Sequence, residues 1–537
     1  MSQVCRLALA LVVVAPAVGR TADKADVAKQ LTAAIDKHLT ADWAARGIKP
    51  AAVSDDAEFA RRVYLDVVGR IPRLSEVTAF LADKAPDKRA KLVDRLLTMP
   101  AYARHFAYTT RHEWMPQAAT DIRFFNNGVQ FEEWLQTQFR KNAPLDAMVR
   151  DVLTVKVPDG LARFRDLDEG LRSDTTNGRI AAFYQANEGR PENLAAAASR
   201  LFMGVKLECA QCHDHPFATY TKEQFWQTAA FFGEFAALPP VAPSFVGPLP
   251  PQFRKNQITI PNTETTLLAT YFDGSTPDWK PTASPREELA AWLTGAGNPF
   301  FAKNMANRLW ARFFGIGLID PIDEPGDANP PSHPELLDEL AKGFVASGFD
   351  HHTMIRGIVG SKAYQLSSRL SHPTQGDARR FAKMAMKGLN GGQIFDSFVI
   401  ATGIRNANQL FDDENQDFRD RTLRGKFLKM YPAGSKSIDT QTSILQALLM
   451  MNGKQMAEQT TVDTSQALAA VADAPFLTTD ERIDTLFLAV VGRKATDAER
   501  EKYASYADRG GPTGDKKKAV ADVMWVLLNS TEFLFNH

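Results

Sequence analysis

The stretch "PPVAPSFVGPLPP", residues 239–251, prevents this chain from being one uninterrupted helical body. Six of its thirteen residues are proline. Proline has no amide hydrogen and its ring clashes with the preceding turn, so no regular helix can pass through. Residues 237–283 therefore read as an extended linker between two halves. Within it, "NQITIPNTETTLLATYFDG" (256–274) has short β-branched runs separated by turn residues, the pattern of a small hairpin.

On both sides of the linker the apolar residues recur at helical spacing. In "DKRAKLVDRLLTMPAYARHF", Leu92, Leu96 and Leu97 share one stripe. "PELLDELAKGFVASGFD", "HHTMIRGIVGSKAYQLSS", "SILQALLMMNGKQMAEQ" and "AVADVMWVLLNSTEFLF" behave alike. Helix starts are signalled by Thr221 with Gln224 and by Ser332 with Glu335, both in capping-box spacing. The expected fold class is mainly α: a multi-helical, two-part scaffold with a little β structure between the halves. The expected divisions are a signal peptide at 1–22, a helical domain at 23–236, the linker at 237–283 and a second helical domain at 284–537.

The two ends of the chain resemble each other. "YLDVVGRIPRLSEVTAF" from Tyr64 and "FLAVVGRKATDAEREKY" from Phe487 both run from an apolar helix through Gly-Arg into a second helix. Their glycines, Gly69 and Gly492, suit left-handed helix C-caps. Because the shared positions are apolar or capping ones, the units are read as packing elements.

The chain opens "MSQVCRLALALVVVAPAVGRTADK", with Arg6 before an apolar run from Leu7 to Val14 and an A-x-A-like end at Ala15-Pro16-Ala17. That is the pattern of a secretory signal peptide. The run is shorter than the roughly 20 apolar residues a membrane span needs, and no later stretch is apolar enough. Cys5 precedes the apolar core, so it is not a lipoprotein anchor. The chain is expected to be exported, periplasmic or extracellular, without a transmembrane segment. Lys plus Arg number 63 and Asp plus Glu number 63, a formal net charge of zero that argues against nucleic acid as a partner. With so few cysteines on so long a chain, no disulfide framework is expected.

The chemistry is concentrated in "LFMGVKLECAQCHDHPFATYTKEQFW" (201–226). Cys209, Cys212 and His213 satisfy Cys-x-x-Cys-His, the spacing for attachment of c-type haem. Two thiols so spaced reach the two vinyl groups of one haem edge, and the adjacent histidine reaches the iron. Three other chemistries fit the same residues. The cysteines can pair as a redox-active disulfide. Cys209, Cys212, His213 and His215 can act together as zinc ligands, a cramped set for a tetrahedral site. Or the cysteines are inert, buried and apolar. No methionine is marked out as a distal haem ligand, and His215, followed by Pro216, suits a turn. Phe225, Trp226, Phe231 and Phe232 follow the motif; an aromatic stripe at helical spacing is mostly core. "PENLAAAASRLFMGV" before it is alanine-rich, which permits close approach of a flat cofactor or of another helix.

"FMGVKLECAQCHDHPF" with "FWQTAAFF", and "FARRVYLDVVGRIPRLSEVTAFLAD" with "KLVDRLLTMPAYARHF", resemble the planctomycete cytochrome-associated family, domain of unknown function 1549 (DUF1549). "LAAWLTGAGNPFFAKNMANRLWARFFGIGLIDPIDEPGDANPPSHPELLDELA", "IRGIVGSKAYQLSS" and "TQTSILQALLMMNGKQMAEQ" resemble its usual companion, DUF1553. Together the resemblances cover most of residues 50–537. They imply an exported protein of presumed cytochrome character whose activity is not settled. Relatives often carry a cytochrome c domain ahead of this region, for which residues 23–50 are too few. "DEPGDAN" departs from the relatives' paired aspartates followed by an aromatic and glycine.

Two further clusters stand out. Asp320, Asp323, Glu324 and Asp327 precede His333, and would suit a metal or acid/base site, or simply a polar loop before a capped helix. Arg308, Trp310 and Arg312 would suit a sugar or propionate contact, or structural ion pairs. No G-x-S-x-G elbow, P-loop or H-E-x-x-H occurs, and no catalytic residue is singled out. The function expected first is electron transfer through haem c, with a redox partner or co-exported enzyme. The alternatives are a metal-containing enzyme acting on extracellular polysaccharide, and a binding scaffold clamped by a structural metal or disulfide at the Cys/His cluster.

Overall fold

The computed structural model describes residues 23–120, 125–156, 176–215, 218–236, 256–279, 284–326, 329–404, 424, 427–428 and 460–537. The apolar leader, the proline-rich stretch 239–251 and "TQTSILQALLMMNGKQMAEQ" lie outside these residues. The described chain is mainly α-helical. Its opening helices are α1 (Lys24–Arg46), α2 (Asp56–Val68), α3 (Leu74–Ala82), α4 (Lys88–Leu97) and α5 (Pro100–Trp114). They are followed by α6 (Phe125–Arg140), α7 (Leu145–Thr154), α8 (Thr176–Ala186), α9 (Pro191–Ala198) and α10 (Lys222–Ala229). Beyond the proline-rich stretch a hairpin forms, β1 (Gln257–Thr259) antiparallel to β2 (Thr266–Leu268), with Ile258 opposite Leu267. Helices α11 (Pro285–Leu293), α12 (Phe301–Phe314), α13 (Pro334–Ala346) and α14 (His351–Gly360) come next. The last group is α15 (Gly391–Thr402), α16 (Gln466–Ala472), α17 (Thr479–Val490), α18 (Asp497–Asp508), α19 (Lys516–Leu528) and α20 (Thr531–Leu534). A second small ladder, absent from the sequence expectations, pairs β3 (Lys387–Gly388) with β4 (Phe535–Asn536).

Hydrophobic packing crosses the proline-rich division. One continuous core runs from Val27 to Met384 and joins α1–α10 to α11–α14. A second gathers α15–α20 and takes in Leu65 and Ile71. Helix α1 lies against α13 and α14. That approach depends on glycine: a Cβ at Gly357 would stand 2.7 Å from the Cβ of Leu31, and one at Gly343 would strike the same leucine. Thr32 Oγ1 donates to the Gly357 carbonyl at 2.9 Å across the joint.

The internal repeat is a repeat of structure. Gly69 and Gly492 both take positive φ, 71° and 82°. Arg70 donates to the Ile71 carbonyl and, through two nitrogens at 2.8 and 3.0 Å, to Glu76. Arg493 donates to the Lys494 carbonyl and, at 2.8 and 2.9 Å, to Glu499. Each glutamate also accepts the amide that opens its helix, Arg73 N or Thr496 N. Arg70 lies over the Tyr64 ring at 5.4 Å, and Arg493 over the Phe487 ring at 5.3 Å. Thr221 and Gln224 form the expected capping box. Ser332 and Glu335 do not: α13 starts after His333 with Pro334 in its first turn, because the Ser332 amide is already committed to the Leu318 carbonyl at 2.7 Å.

Between the two cores runs α2, buried on every side from Phe59 to Val68 even though Arg61, Arg62 and Asp66 lie in that span. Asp66, 4 % exposed, meets Lys387 Nζ at 2.6 Å, and also accepts from Asn536 and from the Tyr364 hydroxyl. Lys387 donates in addition to the Phe313 carbonyl at 2.7 Å, at the end of α12. Removing one member leaves the other charge buried without its partner, a loss of about 3–5 kcal/mol. Lys387→Met should cost that much in urea unfolding, whereas Lys387→Met with Asp66→Leu should cost clearly less than the sum of the two single changes.

Four of the histidines that burial holds neutral lie on α5 and α14, with His105 and His351 buried and His112 and His352 half-buried. Burial pushes His105, His112 and His351 down to about 3, and His352 to about 4. The unfolded chain takes up these protons near the ordinary value of about 6.5, and the folded chain refuses them. Stability is therefore complete above that value and falls as pH drops toward the folded values. Urea unfolding followed from pH 7 to about 5, before most carboxylates titrate, should show this decline. His351→Phe, placed among Phe106, Phe139 and Phe344, should flatten its slope by close to one proton.

Candidate functional site

The Cys-x-x-Cys-His segment is a surface turn anchored from beneath. Helix α9 runs into a single π-helical turn, Ser199–Met203, ended by Gly204 at φ 72°. A Cβ at Gly204 would stand 2.7 Å from Asn304 Oδ1, so glycine is what lets α12 come this close. The chain then makes a 3-10 turn, Leu207–Ala210. Residues three apart eclipse in such a turn. Leu207 and Ala210 point into the core, and Cys209 and Cys212 are left on the outward side, exposed and unpaired as free thiols. The buried, inert alternative for the cysteines is thereby corrected: the inward positions of the turn are already filled.

His213 is exposed too. Its Nδ1 stands 2.7 Å from the Asp214 carbonyl. A carbonyl only accepts, so Nδ1 carries the hydrogen, and in the neutral ring this leaves the lone pair on Nε2. Asp214 is held in turn by the Lys222 amide at 2.8 Å, at the start of α10. His215 N donates to the Tyr220 carbonyl at 2.8 Å, a turn contact, and the His215 and Tyr220 rings lie 5.8 Å apart. Trp226 Nε1 donates to the Gln211 carbonyl at 3.1 Å. Phe225, Trp226, Phe231 and Phe232 are all core, so they support the turn from below and do not wall its outer face. Of the alanines of α9, Ala195, Ala197 and Ala198 are likewise packed inside. Among the described residues no three His, Cys, Asp or Glu side chains are grouped as a metal site.

The turn is fastened to the acidic loop of the second half. Lys206 N donates to the Asp323 carbonyl at 3.1 Å, Lys206 Nζ meets Glu324 at 3.4 Å, and the Tyr220 hydroxyl donates to the Pro325 carbonyl at 3.1 Å. Behind it Arg308 gathers four segments. It donates to the Arg200 carbonyl at 2.7 Å, to Asn304 Oδ1 at 3.1 Å, to Glu113 at 2.5 Å and to Asp323. Arg312 adds a second contact to Glu113 at 3.5 Å. The two carboxylates diverge. Burial pushes both upward, but Arg308 and Arg312 outweigh it at Glu113, which is held below the usual range. At Asp323 burial prevails and the carboxyl is raised.

The other members of the two clusters go elsewhere. His333 faces Asp42 at 3.6 Å, away from the acidic loop. Trp310 is fully buried and stacks on Phe314, which removes it as a sugar contact. Asp327 lies outside the described residues. Sequence reasoning missed Glu113, Arg200, Lys206 and Tyr220. No spacing could have found Glu113, since it reaches the site from a distant helix.

One family model, a protein of unknown function (DUF1549), matches residues 34–237, and a second, a protein of unknown function (DUF1553), matches residues 285–507. The chain is a DUF1549–DUF1553 protein. No curated protein matches it, and neither does any solved structure. The DUF1549 part supplies the Cys/His turn, Glu113 and Arg200, and the DUF1553 part supplies Arg308, Arg312 and the acidic loop. Arg308, 11 % exposed, is the tie between them. Arg308→Gln leaves Asp323 without its hydrogen-bonded cation and Glu113 with only the longer contact to Arg312, which should cost up to about 3 kcal/mol. Hydrogen exchange should then rise first in residues 318–326 and 204–213, ahead of α17–α19.

Proposed function

We propose that this DUF1549–DUF1553 protein is exported and carries one c-type haem, held by thioethers at Cys209 and Cys212 with His213 on the iron, and that it transfers electrons to or from a partner. The observation that supports it most is the Asp214 carbonyl on His213 Nδ1. A histidine that binds a metal through one nitrogen usually donates the other N–H to a carbonyl or carboxylate, which fixes tautomer and ring direction. Here that bond leaves Nε2 as the ligand atom. The donor set fits as well: two free thiols on the outward side of one turn, beside an exposed imidazole. The haem would supply one-electron chemistry at this position. The chain's own part is to hold the turn: Trp226 through the Gln211 carbonyl, the Lys222 amide through Asp214, and Tyr220 through Pro325.

Export is supported by the signal-like leader, and no helix among the described residues is long and apolar enough to cross a membrane. A structural clamp gains less support, because a cross-link between exposed thiols on a single turn ties down little chain. A glycan-cleaving metal enzyme gains none from Trp310. The test is to produce the full chain in a host with haem-attachment machinery and record absorbance after denaturation. A covalently retained Soret band, lost in Cys209→Ser/Cys212→Ser, is the expected result. No retained band, with a control cytochrome maturing normally, would sink the proposal.

A further inference from the structure

Beside the Cys/His turn lies a cation without a hydrogen-bonding anion. Arg200 sits in the π-helical turn that leads to the motif. Its carbonyl accepts from Arg308, and its charge is felt at Glu113 and Asp323. Its guanidinium, however, has no hydrogen-bond partner among the described residues. Arg308 and Arg312 already occupy Glu113, and Arg308 also holds Asp323. The cluster thus sets three guanidiniums against two carboxylates. Lys206 and Glu324 neutralise each other alongside it. Glu208, the carboxylate closest in sequence to the thiols, makes no hydrogen bond to Arg200 through Oε2, which is buried with no partner. π-Helical turns are frequent at functional positions, and this one, which ends the helix before the motif, sets Arg200 at the root of the turn.

We infer that Arg200 is the seat for a carboxylate brought to the Cys/His turn. The guanidinium fork matches a carboxylate in two parallel hydrogen bonds, and a partly desolvated setting strengthens them. The inference deepens the proposed function, on which it rests in one of its two forms. In that form the carboxylate is a propionate of the haem held at Cys209 and Cys212. In the other it belongs to a small diffusible acid.

Arg200→Gln and Arg200→Lys in the full chain test it, with haem retention measured separately on the unsubstituted protein. In haem-loaded protein, Arg200→Gln should shift the ferric/ferrous equilibrium about tenfold toward ferric, close to 59 mV downward for one electron. Arg200→Lys keeps the charge but not the fork, and should shift it less in the same direction. In haem-free protein, thermal-shift titration with succinate as the probe should show binding weakened at least tenfold by Arg200→Gln and partly restored by Arg200→Lys. A shifted potential identifies the propionate as the occupant, and weakened succinate binding alone identifies the diffusible acid. If haem is not retained, the redox proposal fails and the succinate titration still decides for Arg200. Should Arg200→Gln not fold, Arg200→Lys carries both comparisons. An unmoved potential together with unchanged or absent succinate binding overturns the inference.

Discussion

The whole arrangement turns on the charged side chains of α2. Arg61 and Arg62 are each 1 % exposed, in a helix that has no solvent face beyond its first turn. Burying a guanidinium is costly unless its donors are met. Arg61 meets those of its two terminal nitrogens with carbonyls at the far end of the chain, those of Val490, Glu532, Phe533 and Phe535, and leaves only Nε buried without one. Several of these lie at the ends of α17 and α20, where helices leave carbonyls without internal partners. The orphan acceptors of one region thus satisfy the orphan donors of another, and a cation at helix C-termini is electrostatically favoured as well. Burial lowers Arg61 only to about 10, so it remains a cation at neutral pH. Arg62 does the same for Tyr364, Leu366 and His537.

This clasp explains why packing ignores the proline-rich division. A helix that is apolar or internally paired on every side must lie between two bodies. On α2, Phe59, Val63, Tyr64 and Val67 face the first core, and Leu65 faces the second. Asp66 then draws Lys387 and Asn536 to the same helix, so the β3–β4 ladder forms beside it. The DUF1549 and DUF1553 matches divide the chain by sequence similarity, whereas its cores divide it at about residue 385.

Much of the local structure was legible because it is set by neighbours in sequence. The stripe Leu92, Leu96, Leu97, the Thr221–Gln224 box and the Gly69 and Gly492 turns need only a few residues to specify them. The repeat was visible for the same reason, since Arg70–Glu76 and Arg493–Glu499 are each six residues apart. What could not be read are contacts between distant segments. Arg61 in "FARRVYLD" looks like a solvated charge until the chain end returns to it, and Ser332 looks like a cap until Leu318 claims its amide. The candidate site divides in the same way. Cys209, Cys212 and His213 declare themselves by spacing, whereas Glu113, Arg200 and Arg308 come together only in space.

The outward placement of the motif bears on the kind of chemistry it suits. Reactions that work by excluding water need donors enclosed by a pocket wall. Here the aromatic residues that would make such a wall are used beneath the turn as core, while both thiols and His213 face solvent. Rigidity comes from below and from the side: Leu207 and Ala210 in the core, Trp226 on the Gln211 carbonyl, and the acidic loop on Lys206 and Tyr220. A redox group fixed on such a turn would be held still and left accessible along an edge. Those are the needs of electron exchange with a partner that comes to the surface, and they set the second half's part in the proposed function. Through Arg308 and residues 323–325, it keeps in place a turn whose chemistry belongs to the first half.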